Sequence, residues 1–476
     1  MIKTNTLVKA TIIISMVALS GIACSQVSGT TSKPDGMTKA KTEKTVQPSP
    51  TIEPTWWEQE LSDANKRNDA LKWHYDNKDK RLTVSGAGAI SNTPITVDAS
   101  PNHVDWTYIE KHVKEIVIEE GITAIVLRNF SYCQNLKKVS LPDSLQKIGS
   151  ETFWRCGSLE EINIPEQVQS IGQNCFYHCK SLRKVTLGKS VEKLGKGIFA
   201  DCPNLRQVEV SPENEYFMTK NGGLYQKEGK VLYLHYAKSA QVNIEEGTER
   251  IAEFAIQGNE KVRQITIPAS VKTIGGGAML YCSNLQEVKF PEQSQLKEIE
   301  MYCTAELGGD DPGENYGCFQ GCKKLQKCIF PESLERIPSE IFWGTSVKRI
   351  YLGKNFKGYP ENYESKFRET VSSLKKYIVS EENENFCGKD GVLYDKEMKT
   401  LLVYPPQKRN TKFTVPESVK IILSVPHEGK LIIKNKDTKL DYWILPKKNK
   451  KLTIYGKKNS KVYRMAKKRK IRFVEI

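Results

Sequence analysis

Apolar and polar positions repeat along this chain with a fixed period. The stretch LKKVSLPDSLQKIGSETFWRCGS begins at Leu136, LEEINIPEQVQSIGQNCFYHCKS at Leu159 and LRKVTLGKSVEKLGKGIFADCPN at Leu182, so equivalent residues lie 23 apart. Counted from the leading leucine, positions 1, 4 and 6 are apolar: Leu136, Val139, Leu141; Leu159, Ile162, Ile164; Leu182, Val185, Leu187. Alternation at 4 and 6 predicts a short strand. Position 7 is often proline (Pro142, Pro165, Pro268, Pro331), which ends the strand by removing a ladder donor. Position 13 is Ile or Leu followed by glycine (Ile148-Gly149, Ile171-Gly172, Leu194-Gly195, Ile274-Gly275), which predicts a tight turn there. Phenylalanine follows at position 18 (Phe130, Phe153, Phe176, Phe199, Phe342) and cysteine at position 21 (Cys133, Cys156, Cys179, Cys202, Cys282).

One such coil cannot bury its Leu, Ile and Phe alone. Stacked coils align them into a continuous core, each strand pairing in parallel with the next. The predicted fold is therefore an α/β, predominantly β, leucine-rich-repeat solenoid with 23-residue coils, parallel strands, short helical turns and inserted β-hairpins. Copies begin near Val113, Leu136, Leu159, Leu182, Leu205, Val242, Val262, Leu285, Leu325, Val347, Leu374 and Phe413. Inserts interrupt the register near 211–240, 300–317 and 380–410. Two of them, NGGLYQKEGKVLYLHYAKSA from Asn221 and KDGVLYDKEMKTLLVYPPQK from Lys389, read as hairpins projecting from the stack. The third is acidic, aperiodic and long, as functional loops often are.

Flanking segments read as caps. Residues 56–112 form an N-terminal cap, with WWEQELSDANKRNDA as a short helix and LKWHYDNKDKRLTVSGAGAI as a hairpin. The solenoid covers 113–430, and 431–476 closes it with strand, short amphipathic helix and strand in LTIYGKKNSKVYRMAKKRKIRFVEI.

The unit LxxVxLPxSLxxIGxxxFxxC, the GVLY-type inserts, the SGAGAI segment with the later Trp106, and the closing IYGKKNSKVYRMAKKRKIRF together resemble the BspA-type leucine-rich-repeat proteins of bacterial cell surfaces. The resemblance covers about residues 70–476. It implies an adhesive role toward host or microbial surfaces and leaves the ligand open. Val126 and Pro338 in glycine positions and Met279 in a phenylalanine position mark irregular coils.

The N-terminus, MIKTNTLVKATIIISMVALSGIACSQ, has two lysines, an apolar run from Thr11 to Leu19 and small residues before Cys24. It reads as an export signal over 1–23, its apolar core too short to span a bilayer. The tail Leu-Ser-Gly-Ile-Ala-Cys resembles the lipobox of bacterial lipoproteins, which makes Cys24 a lipid-attachment site. Gly21 and Ala23 also suit ordinary cleavage, which would leave the chain secreted. Residues 24–55, rich in Ser, Thr, Lys and Pro, form a flexible tether. The chain has 12 cysteines, several spaced by the repeat, so they read as buried free thiols, with bonds between coils as the alternative.

Neither a Ser/His/Asp nor a Cys/His catalytic spacing occurs, and the pattern calls for no enzyme activity, no cofactor and no metal. Cys175-Phe-Tyr-His178-Cys179 has zinc-ligating types, but the repeat itself places Cys179 and Phe176. Asp310, Asp311, Glu314 and Asn315 offer oxygen ligands to calcium or contacts to a partner, or make a solvated loop. The net charge is +16, and residues 446–476 hold 13 Lys or Arg against one Glu, so that end supplies +12 and the rest only +4. Such an end suits anionic envelope polymer or lipid headgroups, or keeps a last strand soluble. Export and the lack of a recognition motif argue against nucleic acid.

Positions 2, 3 and 5 point away from the core and stack into a polar ribbon on the predicted inner curve, where solenoids commonly bind partners. Lys137, Lys138, Glu160, Glu161, Arg183, Lys184, Arg206 and Arg263 are its candidate contacts, with Asp310, Asp311 and Glu314 on the loop. The sequence thus predicts a non-enzymatic surface protein that binds protein or glycan, anchored to a membrane if Cys24 is acylated. The alternatives are an envelope scaffold held to anionic polymer by its basic cap, and an accessory domain of an enzyme.

Overall fold

The computed structural model describes residues 70–91, 96–100, 104–303, 315–338, 340–358, 372–408, 411–440, 444–445 and 447–476. Residues 70–302 and 316–476 belong to one compact unit. Its architecture is a parallel-strand solenoid in which each coil contributes to two hydrogen-bonded ladders.

The front ladder is the predicted one. Glu161–Asn163 pairs in parallel with Lys184–Leu187, which pairs with Gln207–Val210, placing Ile162, Val185 and Val208 opposite one another. These three are buried while Glu161 and Gln207 are exposed, the alternation that the strand period imposes. Val242 and Phe413 are the buried middle residues of their strands, Gln241–Asn243 and Lys412–Thr414, and so hold position 4.

The back ladder departs from the predicted turn at position 13. Ser170–Ile171 pairs in parallel with Lys147–Ile148 and with Lys193–Leu194, so Ile148, Ile171 and Leu194 are strand residues pointing inward. The glycine that follows serves close approach between coils. A Cβ on Gly172 would lie 2.2 Å from the backbone nitrogen of Ser150, and one on Gly195 would lie 2.2 Å from that of Gln173.

The third side is neither helix nor regular strand. Glu151, Arg155, Asn174 and His178, at positions 16 and 20, have positive φ. The turn so formed aims the N–H groups of Glu151, Phe153 and Arg155 at the carbonyls of Gln173, Cys175 and Tyr177, 2.9, 2.9 and 2.8 Å away. Here no α-helix forms: this ladder satisfies backbone groups between coils, while single turns satisfy others within each coil, as from the Trp154 N–H to the Glu151 carbonyl at 3.1 Å. It also stacks the phenylalanines: the centroids of Phe153, Phe176 and Phe199 are spaced 5.7 Å apart, with rings 8° and 10° from parallel. Burying each ring stabilises the stack by about 1.5–3 kcal/mol.

Among the described residues the α-helices are α1 (Trp106–His112) and α2 (Lys461–Arg469). Asp105 caps α1 by accepting from the Thr107 N–H at 2.8 Å, and Ser460 caps α2 through the Tyr463 N–H at 3.1 Å. At the N-terminal end, Lys72–Asp76 and Arg81–Ser85 form the expected antiparallel hairpin, whose second strand starts the front ladder by pairing with Glu115–Ile118. At the other end, Leu452–Gly456 and Arg472–Glu475 flank α2 and pair in parallel.

The two similar inserts do not project from the stack; they lie inside it. Phe217–Lys220, Gly223–Gln226 and Val231–His235 form an antiparallel unit whose last strand becomes a rung of the back ladder, pairing with Arg250–Ile251. Phe386–Lys389, Val392–Asp395 and Thr400–Val403 repeat this against Ile421–Ile422. The middle strands, Gly223–Gln226 and Val392–Asp395, carry apolar residues on both faces, so both must be covered. Leu224 packs into the core of the preceding coils and Tyr225 into that of the following ones, both fully buried. Leu393 and Tyr394 divide in the same way. The interior is thus three apolar clusters separated by two partitions.

A buried asparagine fixes the entry to each partition. Asn214 donates to the carbonyls of Gly188 and Val191 at 2.9 and 3.0 Å and accepts from the N–H groups of Tyr216 and Phe217 at 2.8 and 2.7 Å. Asn383 does the same with Gly353, Phe356, Asn385 and Phe386.

Candidate interaction surface

The front ladder sets positions 2, 3 and 5 of successive coils in columns on one face. Strand pairing puts Glu161, Lys184 and Gln207 in one column and Gln241, Gln264, Glu287 and Lys327 in its continuation. Of the expected contact residues, Lys137, Lys138, Glu160, Glu161, Arg183, Arg206 and Arg263 are exposed and Lys184 is half-buried.

Several charges on this face satisfy one another. Lys138 meets Glu115 at 2.9 Å, Arg183 meets Glu160 at 3.8 Å, and Lys184 meets Glu209 at 2.9 Å. The Lys184 bond lowers the pKa of Glu209. Exposed pairs of this kind stabilise a fold little. Arg206 and Arg263 have no ion pair among the described residues, and both retain their hydrogen-bonding forks for something else.

One feature of this face escaped the sequence reading. Position 5 is polar through Ser140, Asn163, Thr186, Glu209, Asn243, Thr266 and Lys289, then turns apolar at Ile329, Tyr351 and Ile378. Ile329 is 55% exposed and Ile378 39% exposed, while Tyr351 is half-buried and donates to Glu332. The signal was visible as three consecutive apolar residues in C-I-F, I-Y-L and Y-I-V, where earlier strands alternate.

The remaining candidates are dispersed. Cys24 and the loop residues Asp310, Asp311 and Glu314 lie outside the described residues. Cys175 and Cys179 are buried thiols, and His178 pairs through Nδ1 with Asp201. Tyr302, just ahead of the acidic loop, donates to Asn174 at 3.0 Å; burial, more than any neighbouring charge, raises its pKa. Behind the front face, Arg250 grips Glu300 through both oxygens at 2.6 and 2.7 Å and Glu253 at 2.7 Å, an ion-pair network that closes a coil junction. In the C-terminal stretch, Lys447, Lys448, Lys450, Lys451, Lys457 and Lys458 are exposed, as are the α2 residues Lys461, Arg464, Lys467 and Lys468, followed by Lys470 and Arg472. The single carboxylate there, Glu475, meets Lys458 at 3.5 Å.

Comparison with known proteins agrees with this architecture. The family model for the BspA type leucine rich repeat region matches residues 106–221, 233–307 and 315–387 in six copies. Similar solved structures include a leucine-rich repeat protein from Eubacterium ventriosum, 20% identical, covering 69% of this chain and 98% of that one at a TM-score of 0.43. A leucine rich cell surface protein from Faecalibacterium prausnitzii is 19% identical, covering 66% and 94% at 0.41. The pneumococcal vaccine antigen PcpA is 15% identical, covering 86% and 98% at 0.43. Among curated proteins none matches.

Proposed function

Because the chain belongs to the BspA-type leucine-rich-repeat family, we propose that it is a non-enzymatic surface protein that binds protein or glycan partners through the front-ladder ribbon. In this reading residues 1–23 direct export, Cys24 carries the lipid anchor, and 24–55 tether the solenoid. The observation that carries it is the apolar stripe of Ile329, Tyr351 and Ile378 on an otherwise polar face. Ile329 and Ile378 are exposed although apolar, and contiguous exposed apolar patches rimmed by polar residues mark contact sites.

The test is solid-phase binding of the mature chain to immobilised host matrix proteins and purified envelope glycans, beside an Ile329→Ser/Ile378→Ser variant. Binding by the wild type and a loss of about tenfold or more in the variant support the reading, since truncating the hot-spot residues of an interface costs about 2 kcal/mol or more. Equal binding by both removes the stripe from the interaction. Mass spectrometry of the exported N-terminus reads acylation of Cys24 directly.

The second reading is an envelope scaffold, favoured by the twelve exposed cations of the last coil. It predicts salt-sensitive retention on anionic envelope polymer.

A further inference from the structure

Two clefts open on the cationic stretch of the ribbon, and they are built alike. The first, about 490 Å³, is lined by Glu161, Arg183, Lys184, Asn204, Arg206 and Gln207. The second, about 530 Å³, is lined by Glu260, Lys261, Arg263, Asn284, Gln286 and Lys324. Each combines three cations, one carboxylate, one asparagine and one glutamine.

The repeat accounts for part of this likeness. Both clefts lie where the chain enters a front strand: Asn204 and Asn284 end their units and Arg183 and Arg263 hold position 2 of theirs, while the other lining residues come from different places in the repeat. Asn204 and Asn284 occupy the same place in their coils and donate to the carbonyls of Lys180 and Glu260 at 2.8 and 2.6 Å. Their amide nitrogens are thus committed to the coil below, and their carbonyl oxygens remain for a ligand. Arg183 pairs with Glu160 at 3.8 Å and Lys184 with Glu209 at 2.9 Å. Arg206, Lys261, Arg263 and Lys324 are exposed and have no ion pair among the described residues. Lys238 is half-buried between the clefts. Burial lowers its pKa, the charge of Arg206 lowers it further, and Glu260 acts the other way. Lys238 thus lies within electrostatic reach of Arg206 in the first cleft and Glu260 in the second.

We propose that this stretch binds an acidic polysaccharide, a chain bearing carboxylate or sulfate groups at intervals that engage both clefts. Arginine forks take such planar or tetrahedral anions through paired N–H bonds. The asparagine, glutamine and glutamate groups beside them suit sugar hydroxyls. A protein partner would call for aromatic or large aliphatic anchors, and neither cleft has one. Two like sites on one rigid scaffold favour a repeating ligand, because engaging one raises the effective concentration at the other. The inference rests on reading the ribbon as an interaction face but uses none of the residues of the apolar stripe.

The experiment measures binding of the full mature chain to polygalacturonate, dextran sulfate, neutral dextran and poly-glutamate. It compares wild type, an Arg206→Gln/Arg263→Gln variant, and a variant with Lys461, Arg464, Lys467 and Lys468 changed to glutamine. All the substituted side chains are exposed, and matching thermal melts establish that the fold is kept. The expected result is binding to one or both acidic polysaccharides but not to neutral dextran, with the response to polygalacturonate and dextran sulfate deciding between carboxylate and sulfate. Changing Arg206 and Arg263 lowers that affinity by about tenfold or more, as expected for loss of charge-assisted bonds, while changing the α2 cations leaves most of it. Four results overturn the proposal: no binding to either acidic polysaccharide, a loss confined to the α2 variant, equal losses in both variants, or poly-glutamate binding as tightly as the polysaccharides. Capture of matrix proteins that depends on Ile329 and Ile378 would survive any of these, so the two readings fail separately.

Discussion

The thiol of Cys179 donates a hydrogen bond to the carbonyl of Phe153, 3.2 Å away in the preceding coil. The same bond joins Cys156 to Phe130 at 3.2 Å, Cys202 to Phe176 at 3.0 Å, Cys282 to Ile256 at 3.1 Å and Cys322 to Met279 at 3.1 Å. The recurring cysteine is a small buried apolar group, as its spacing predicts, and also a donor to a carbonyl that the turn ladder leaves with spare acceptor capacity.

Replacing Cys179 by alanine removes both functions. The expected cost is about 1–3 kcal/mol from the lost donor and the space left behind. Urea denaturation of the variant beside wild type measures it, and an unchanged midpoint would show that neither the bond nor the packing of the thiol contributes to stability.

These thiols are also chemically quiet. Burial is the main cause raising the pKa of Cys156, Cys179, Cys318, Cys322 and Cys328. Thiolate is the reactive form, so a thiol-specific reagent at mildly alkaline pH should label them only on unfolding, with the half-buried Cys387 reacting first. Rapid stoichiometric labelling of the native protein would contradict the packing.

Gly172 and Gly157 make a matched pair. Alanine at Gly172 brings its Cβ against the Ser150 backbone at 2.2 Å, whereas Gly157 has nothing within 4 Å. Gly172→Ala should lower stability by several kcal/mol or prevent folding, since rigid backbone on both sides of the contact must shift. Gly157→Ala should stay within about 0.5 kcal/mol of wild type. Thermal melts of the two variants test this.

Asn214 gathers four hydrogen bonds at the first partition while 2% exposed. Asn214→Ala removes the side-chain partner of the Val191 carbonyl and of the Tyr216 and Phe217 N–H groups, each costing about 1–3 kcal/mol if unsatisfied. The variant should expose the partition to limited proteolysis before the flanking coils open, and cleavage sites located by mass spectrometry decide the point.

His235 provides a pH dependence. It is 5% exposed, Nδ1 has no hydrogen-bond partner, and burial lowers its pKa below the ordinary value of 6.5. The unfolded imidazole therefore protonates before the native one. Its influence on stability is absent above about pH 6.5 and becomes destabilising as pH falls below that value. His235→Gln should flatten the fall in melting temperature between neutral and mildly acidic pH, and an unaltered slope would assign the fall to other groups.

Much of the fold was legible because its strongest signals are local and repeated. Val139, Ile162 and Val185 mark the front ladder through alternation, and the flanking hairpin and closing strand-helix-strand carry ordinary strand and helix periods. The back ladder was not legible, because two residues per coil, as at Ser170–Ile171, cannot display a period of two. The turn ladder was hidden for another reason: Glu151, Arg155 and His178 adopt positive φ without being glycine or asparagine, held there by bonds to neighbouring coils. The inserts were recognisable as hairpins from GGLYQ and GVLYD, but their burial follows from both faces being apolar, a clue in Leu224-Tyr225 and Leu393-Tyr394. On the candidate surface, alternation placed Arg183, Arg206 and Arg263 outward. The likeness of the two clefts depends on which unit ends fall beside which strand starts, and that emerges only once the coils are stacked.

The two partitions have a consequence for how such a chain can change length. Each is a bulkhead: its apolar strand seals one compartment against the next, as Leu224 and Tyr225 do from opposite sides. A whole coil can be spliced out of the middle compartment, or duplicated there, without re-registering the compartments beyond either wall. The protein is accordingly extensible by sections, and the recognition face of one section can diverge while its neighbours keep theirs.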